Sequence, residues 1–168
     1  MNNLAVIIID MQEKAIIDNK RELLSAQINL LDYAIKNNLN VYTFSISHAG
    51  KLIPELMPKL KKSKSEYFLK EKSSIFQGII LKETKKEKNY FYFEDLLKEK
   101  NISKLIISGT NKEVCIKYSV LDAINLGYSV LLSNDLMNNP DKSNFLFKEQ
   151  SKIKHFNSHL DLIDYLKK

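Results

Sequence analysis

Leu105-Ile-Ile-Ser-Gly109, then Thr110-Asn-Lys-Glu-Val114, then Cys115: this stretch fixes how the rest of the chain is read. An apolar run ended by glycine predicts a buried strand. Val114, Tyr118, Leu121 and Ile124 then recur near helical spacing, and Gly127 predicts the stop. The segment reads as strand, turn and helix, with Cys115 at the helix N-terminus. There the peptide dipoles favour thiolate, the nucleophilic form of cysteine. The same pattern also suits a cysteine that is only a small buried hydrophobe.

The neighbouring segments repeat the theme. Leu4-Ala-Val-Ile-Ile-Ile9 is a continuous run of the kind expected for a strand covered on both faces. Further strands are expected over Asn40–Ile46, Glu66–Leu69, Tyr128–Leu132 and Lys154–Phe156. Helices are expected over Arg21–Lys36, Tyr92–Glu99, Ile116–Leu126, Asn144–Lys152 and Ser158–Leu166. Ser158 is a suitable N-cap, with Asp161 three residues on. Pro54 and Pro58 flank a short turn or helix. Lys82–Lys88, rich in Lys and Glu, reads as an exposed loop or helix extension. Strands alternating with helices predict an α/β fold: one domain over residues 1–168, a three-layer α/β/α sandwich around a mainly parallel, Rossmann-like sheet.

Composition narrows the function. At 168 residues, 44% hydrophobic and 27% charged, the chain can bury a core without staples. A single cysteine excludes an internal disulfide. No apolar run approaches the roughly 20 residues of a membrane span. Leu4–Ile9 is too short, and too soon followed by Asp10, to be a signal peptide. A cytoplasmic location and no membrane partner are expected. The net charge of +6 comes from 26 basic residues, of which only Arg21 is arginine. Nucleic-acid readers lean on arginine for bidentate contacts. The lysines are scattered, and Lys59-Leu-Lys-Lys-Ser-Lys64 reads as solvated surface, so no nucleic-acid partner is expected.

In a parallel sheet the active site lies at the carboxyl ends of the strands. Asp10 follows the first strand, Lys70 the third, and Cys115 the strand ending at Gly109. A carboxylate, an ammonium and a thiol in one crevice make an activated nucleophile. Asp10 suits the general base. Lys70 holds the pair in place and lowers the thiol pKa from its usual value of roughly 8.5.

The chain resembles the isochorismatase-like cysteine hydrolases, the superfamily that includes nicotinamidases and N-carbamoylsarcosine amidase. Ile7-Ile-Ile-Asp-Met-Gln12 matches the opening strand that ends in Asp-Met-Gln. Pro54-Glu-Leu-Met-Pro58 is similar to the Pro-Glu-Leu segment before the third strand. Lys70-Glu-Lys-Ser-Ser-Ile-Phe-Gln-Gly-Ile-Ile-Leu81 is similar to the family's Lys, three residues, Ser-Ala-Phe, then Gly and Leu. Gly109, Cys115, Asp122-Ala123, Gly127-Tyr128 and Asn134-Asp135 match the nucleophile helix and the strand after it. The resemblance implies Asp10 as base, Lys70 as orienting cation and Cys115 as acyl acceptor. It implies a cis peptide at Thr110-Asn111 that aims the amides of Val114 and Cys115 at an oxyanion. Gln12, Phe44, Phe76 and Tyr118 are the expected substrate contacts, although each also suits a core, structural or subunit-contact role. A small-molecule substrate and a homo-oligomer are expected, with no cofactor.

Three departures stand out. Lys112 occupies the place where the family commonly has Thr. The second-strand end, Phe44-Ser-Ile-Ser-His-Ala-Gly50, lacks the Asp-x-His metal cluster of nicotinamidases, so no metal is expected. Thr84–Tyr92 looks like extra sequence, a lid or contact region. Lys72 is an alternative to Lys70, and His155 and His159 read as structural. Isochorismate hydrolysis itself needs no cysteine, so Cys115 favours attack on a carbonyl carbon. The leading expectation is a cysteine hydrolase cleaving a C–N bond of a small amide through a thioester. A catalytically altered or redox-responsive binding protein of the same fold is the alternative, and a basic nucleic-acid-binding domain a third reading.

Overall fold

The computed structural model describes residues 3–15, 17, 19–83, 87–138 and 151–168. Along the chain run β1 (Leu4–Ile9), α1 (Lys20–Lys36), β2 (Asn40–Ile46), α2 (Met57–Lys62), β3 (Glu66–Lys70), β4 (Ile80–Glu83) and β5 (Lys88–Phe91). They are followed by α3 (Phe93–Glu99), β6 (Lys104–Gly109), α4 (Lys117–Asn125), β7 (Ser129–Ser133), β8 (Ile153–Phe156) and α5 (His159–Leu166).

All eight strands form one sheet in the order β5-β4-β3-β2-β1-β6-β7-β8. From β3 to β8 every pairing is parallel. The order 3-2-1-6-7-8 is that of a doubly wound sheet, and the winding reverses between β1 and β6. β1 is buried at all six positions, as a central strand with helices on both faces must be. On one face Ile7, Phe44 and Phe68 pack against Phe93 and Leu97 of α3 and Val120 and Ala123 of α4. On the other, Val6, Ile8 and Val41 pack against Leu23, Leu30 and Leu31 of α1, Leu60 of α2 and Leu162 of α5. The result is the three-layer α/β/α arrangement, with a mixed sheet.

The mixing comes from β4 and β5, which pair antiparallel with β3 and with each other. This corrects the reading of Lys82–Lys88 as a loop or helix extension at Lys82, Glu83 and Lys88, while residues 84–86 lie outside the described residues. Lys82-Glu83 closes β4 and Lys88 opens β5, and their residues pair across a hairpin. Phe91 points inward onto Phe68, with ring centroids 5.5 Å apart. That aromatic contact, invisible in the local Lys/Glu composition, favours strand. The helix expected over Asn144–Lys152 lies almost wholly outside the described residues. At α5, Ser158 Oγ accepts from the Asp161 amide and the Asp161 carboxylate accepts from the Ser158 amide, a reciprocal cap. His159 is held at 2.6 Å by Asp135, which ties α5 to the end of β7.

Candidate active site

Asp10 is delivered to the carboxyl end of the sheet by a sharp backbone turn. Its φ of 51° lies in the left-handed region, which Asp tolerates better than bulkier residues. Its amide donates to Phe44 O at 2.9 Å, so the turn is pinned to the end of β2. On the other side, β6 approaches β1 very closely. Gly109 has φ of 131°, and a Cβ there would fall 2.0 Å from Ile9 O. No other residue fits without moving β1. Thr110 continues the seam: its amide donates to Ile9 O at 2.9 Å and its hydroxyl to Asp10 O at 2.8 Å. The Thr110-Asn111 peptide is cis.

The turn after it differs from the expected helix start. Lys112–Ile116 forms one wide π-type turn, and α4 begins only at Lys117. Cys115 sits within that turn, not at the start of the α-helix. Asn111 caps the turn, its side chain accepting from the Glu113 amide at 3.0 Å. The Val114 amide is directed back to Asn111 O at 3.2 Å. Val114 is thereby withdrawn as an oxyanion donor, and its side chain faces solvent. Lys112 is buried, with its amide donating to Asn138 Oδ1 at 3.1 Å.

Lys70 completes the group from the end of β3. Its Nζ lies 2.9 Å from Asp10 Oδ2, and it donates to Cys115 Sγ at 3.4 Å. It also donates to the carbonyls of Lys72 at 3.1 Å and Ser73 at 3.4 Å. The ammonium is therefore solvated by the loop that follows its own strand. Lys72, the alternative, is exposed and contributes only its carbonyl. The contact between Lys70 and Asp10 is a buried ion pair. Asp10, Lys70 and Cys115 are 5%, 2% and 7% exposed, so their interactions act at low dielectric.

Burial governs the titration of both acids. Removal from water pushes the Asp10 carboxyl above 3.8, and Lys70 opposes this only in part. Burial likewise pushes the Cys115 thiol above 9.0, with Lys70 pulling it down and Asp10 adding to the rise. The expected lowering of the thiol pKa is thus corrected. Burial thus disfavours the thiolate and the carboxylate alike.

The other expected substrate contacts divide. Gln12 is a strut: Oε1 accepts from the Ile46 amide at 2.8 Å, and Nε2 donates to Ile46 O at 2.9 Å and Gly50 O at 2.6 Å. That accounts for its amide and fixes the β2 loop beside Asp10. Phe44 is fully buried between Phe68 and Phe93, so it is core and not a substrate wall. Phe76 is half-buried, stacked on Tyr128 and packed on Phe93. Tyr118 is 44% exposed on α4. His48 sits exposed in a short turn after β2, and its charge is felt at Asp10. Among the described residues no group of three His, Cys, Asp or Glu side chains is placed to hold a metal ion. Sequence reasoning missed Ser119, whose buried hydroxyl accepts from the Ile75 amide at 3.1 Å. It lies one turn beyond Cys115, and that spacing was the available signal.

The chain belongs to the isochorismatase family: the isochorismatase domain matches residues 4–148. An isochorismatase family protein from Desulfovibrio vulgaris shares the fold at 19% identity, over 99% of either chain, with a TM-score of 0.77. The MAR1 ribonuclease of Caenorhabditis elegans is similar at 21% identity over 96% of this chain and 80% of that one, TM-score 0.76. A nicotinamidase from Bacillus subtilis is similar at 18% identity over 86% of this chain and 96% of that one, TM-score 0.68. At such identities the likeness establishes the fold. No curated protein matches the chain. Family membership supports hydrolysis as the chemistry of the site.

Proposed function

We propose that the protein is a cysteine-dependent hydrolase that cleaves the C–N bond of a small amide. The observation that carries this reading is the Lys70 ammonium lying 2.9 Å from Asp10 and 3.4 Å from Cys115 in a buried group. Asp10 takes the thiol proton as the sulfur attacks the carbonyl carbon. Lys70 and the Cys115 amide stabilise the charge that develops on oxygen. Collapse expels the amine, which carries away the proton from Asp10, and leaves a thioester on Cys115. Asp10 then deprotonates a water that attacks the thioester, releasing the acid and restoring the thiol. The similarity to a nicotinamidase supports an amide substrate. A redox-sensing role fits less well, because sensor thiols are exposed and of low pKa, whereas Cys115 is buried with a raised one.

A panel of primary carboxamides and N-carbamoyl compounds tests the proposal, with ammonia release and intact mass as readouts. The wild type releases ammonia from at least one member and shows an acyl adduct, and Cys115→Ala does neither. Ammonia release that survives Cys115→Ala would remove the proposal.

A further inference from the structure

Two polar side chains stand in the apolar layer between α1 and the sheet. Gln27, from the middle of α1, and Ser108, from β6, are both fully buried. Gln27 Nε2 donates to Ser108 Oγ at 2.7 Å, and Ser108 Oγ donates to Leu136 O at 2.7 Å. An apolar pair would fill the same space without taking an amide and a hydroxyl out of water. What the polar pair adds is a fixed place for the short turn Asn134–Leu136 after β7. Met137 then bridges to Gly109 in parallel, and the Asn138 amide donates to Gly109 O at 3.1 Å. The buried Asn138 side chain reaches further, its Oδ1 accepting from the Lys112 amide at 3.1 Å. Asn138 therefore grips the chain on both sides of Thr110-Asn111.

We propose that Asn138 is a positioning residue for the nucleophile: through the Lys112 amide it sets the π-type turn where Cys115 Sγ meets Lys70 Nζ, with Ser108 and Gln27 as its footing. The role rests on the reading of Asp10, Lys70 and Cys115 given above. Within the turn, the amides on either side of Cys115, those of Val114 and Ile116, both go to Asn111 O, at 3.2 and 3.0 Å. The Glu113 amide goes to the Asn111 side chain. Asn111 thus shapes the turn from inside, and Asn138 ties its first residue to the end of β7 from outside. The tie is made by a side chain, so it depends on which residue stands at 138. The contact that it protects has little slack. Sγ lies 3.4 Å from Lys70 Nζ, and a shift of the turn by about 1 Å takes the sulfur out of reach. A misplacement of that size costs on the order of 100-fold in turnover.

Alkylation of Cys115 by iodoacetamide, followed against pH in the full chain, tests the role without an amide substrate. Asn138→Leu removes the acceptor at nearly constant volume, and Asn138→Asp keeps it. Asn138→Leu is expected to move the midpoint by at least about half a pH unit. Lys70→Met raises the midpoint in the wild type, raises it by a similar amount in Asn138→Asp, and raises it by clearly less in Asn138→Leu, where the sulfur no longer stands against Lys70. An Asn138→Leu chain that melts lower but keeps the wild-type midpoint overturns the role and makes Asn138 purely structural. An undiminished Lys70→Met rise in Asn138→Leu also overturns it, and leaves the reading of the three residues standing. No rise on Lys70→Met in the wild type overturns both. Where the double variant does not fold, the midpoint of Asn138→Leu alone decides. Where Asn138→Leu does not fold, Ser108→Ala decides, by a smaller shift of the same midpoint if the role holds and by none if it does not.

Discussion

Asp10 and Cys115 titrate in a buried pair, and the direction of each shift fixes the pH dependence of catalysis. In the proposed reaction the active form has Asp10 ionised and Cys115 protonated. Because burial raises the Asp10 pKa above 3.8, the acid limb of kcat/KM falls at a pH above that value. Because the thiol is raised above 9.0, the alkaline limb lies higher still. Turnover is therefore expected to be bell-shaped, and the two midpoints belong to the pair. A profile that shows no fall on the acid side would contradict the assignment of Asp10 as base. The three residues are legible together in the sequence because each follows a strand of a parallel sheet. The sign of the thiol shift is not, because residue identity reveals the neighbouring charges but not the depth of burial. Gln12 shows the same limit: its place after Asp10 is legible, but its bonding to Ile46 and Gly50 depends on a loop 34 to 38 residues away.

The loop from Glu71 to Ile79 links Lys70 to α4. Its carbonyls solvate the Lys70 ammonium, and Ile75 is pinned to Ser119 one turn beyond Cys115. Ser119→Ala is expected to cost about 1 kcal/mol in stability, as the loss of a buried hydrogen bond does. It should also shift the alkaline limb of the thiol, since Lys70 is no longer held against the sulfur, and Ser119→Thr should restore both. Denaturant melts and alkylation profiles check this; a stability loss with an unmoved thiol would make Ser119 purely structural. Gly109→Ala sets a Cβ against Ile9 O and is expected to destabilise by about 3 kcal/mol, read as a lower denaturation midpoint. The buried strands β1 and β6 are legible because apolar runs with a glycine or aspartate stop have few other readings. The β4–β5 hairpin is not, because Lys82, Glu83 and Lys88 mask the alternation of Ile80, Leu81, Tyr90 and Phe91, and its inward contact with Phe68 is tertiary.

Stability and function oppose one another across the molecule. Lys70→Met leaves Asp10 buried without its cation and is expected to cost about 3–5 kcal/mol at neutral pH. The sign with pH follows from the raised carboxyl. Asp10 binds its proton more tightly folded than unfolded, so the stabilisation from protonation is full below about pH 3.8 and is lost as pH rises through the native value. The Lys70→Met defect should therefore shrink in acid; a pH-independent defect would mean that packing, not charge, is lost. The doubly wound order of the sheet brings the ends of β1, β3 and β6 to one crevice, and that much of the architecture is legible from alternating strands and helices. The measurement that bears on all of this is the Cys115 titration, followed by alkylation rate against pH in the wild type, Asp10→Asn and Lys70→Met. If the three residues form one electrostatic unit, the midpoint falls below the wild-type value in Asp10→Asn and rises above it in Lys70→Met. Midpoints that stay at the wild-type value in both variants would show that the thiol stands apart from the other two residues.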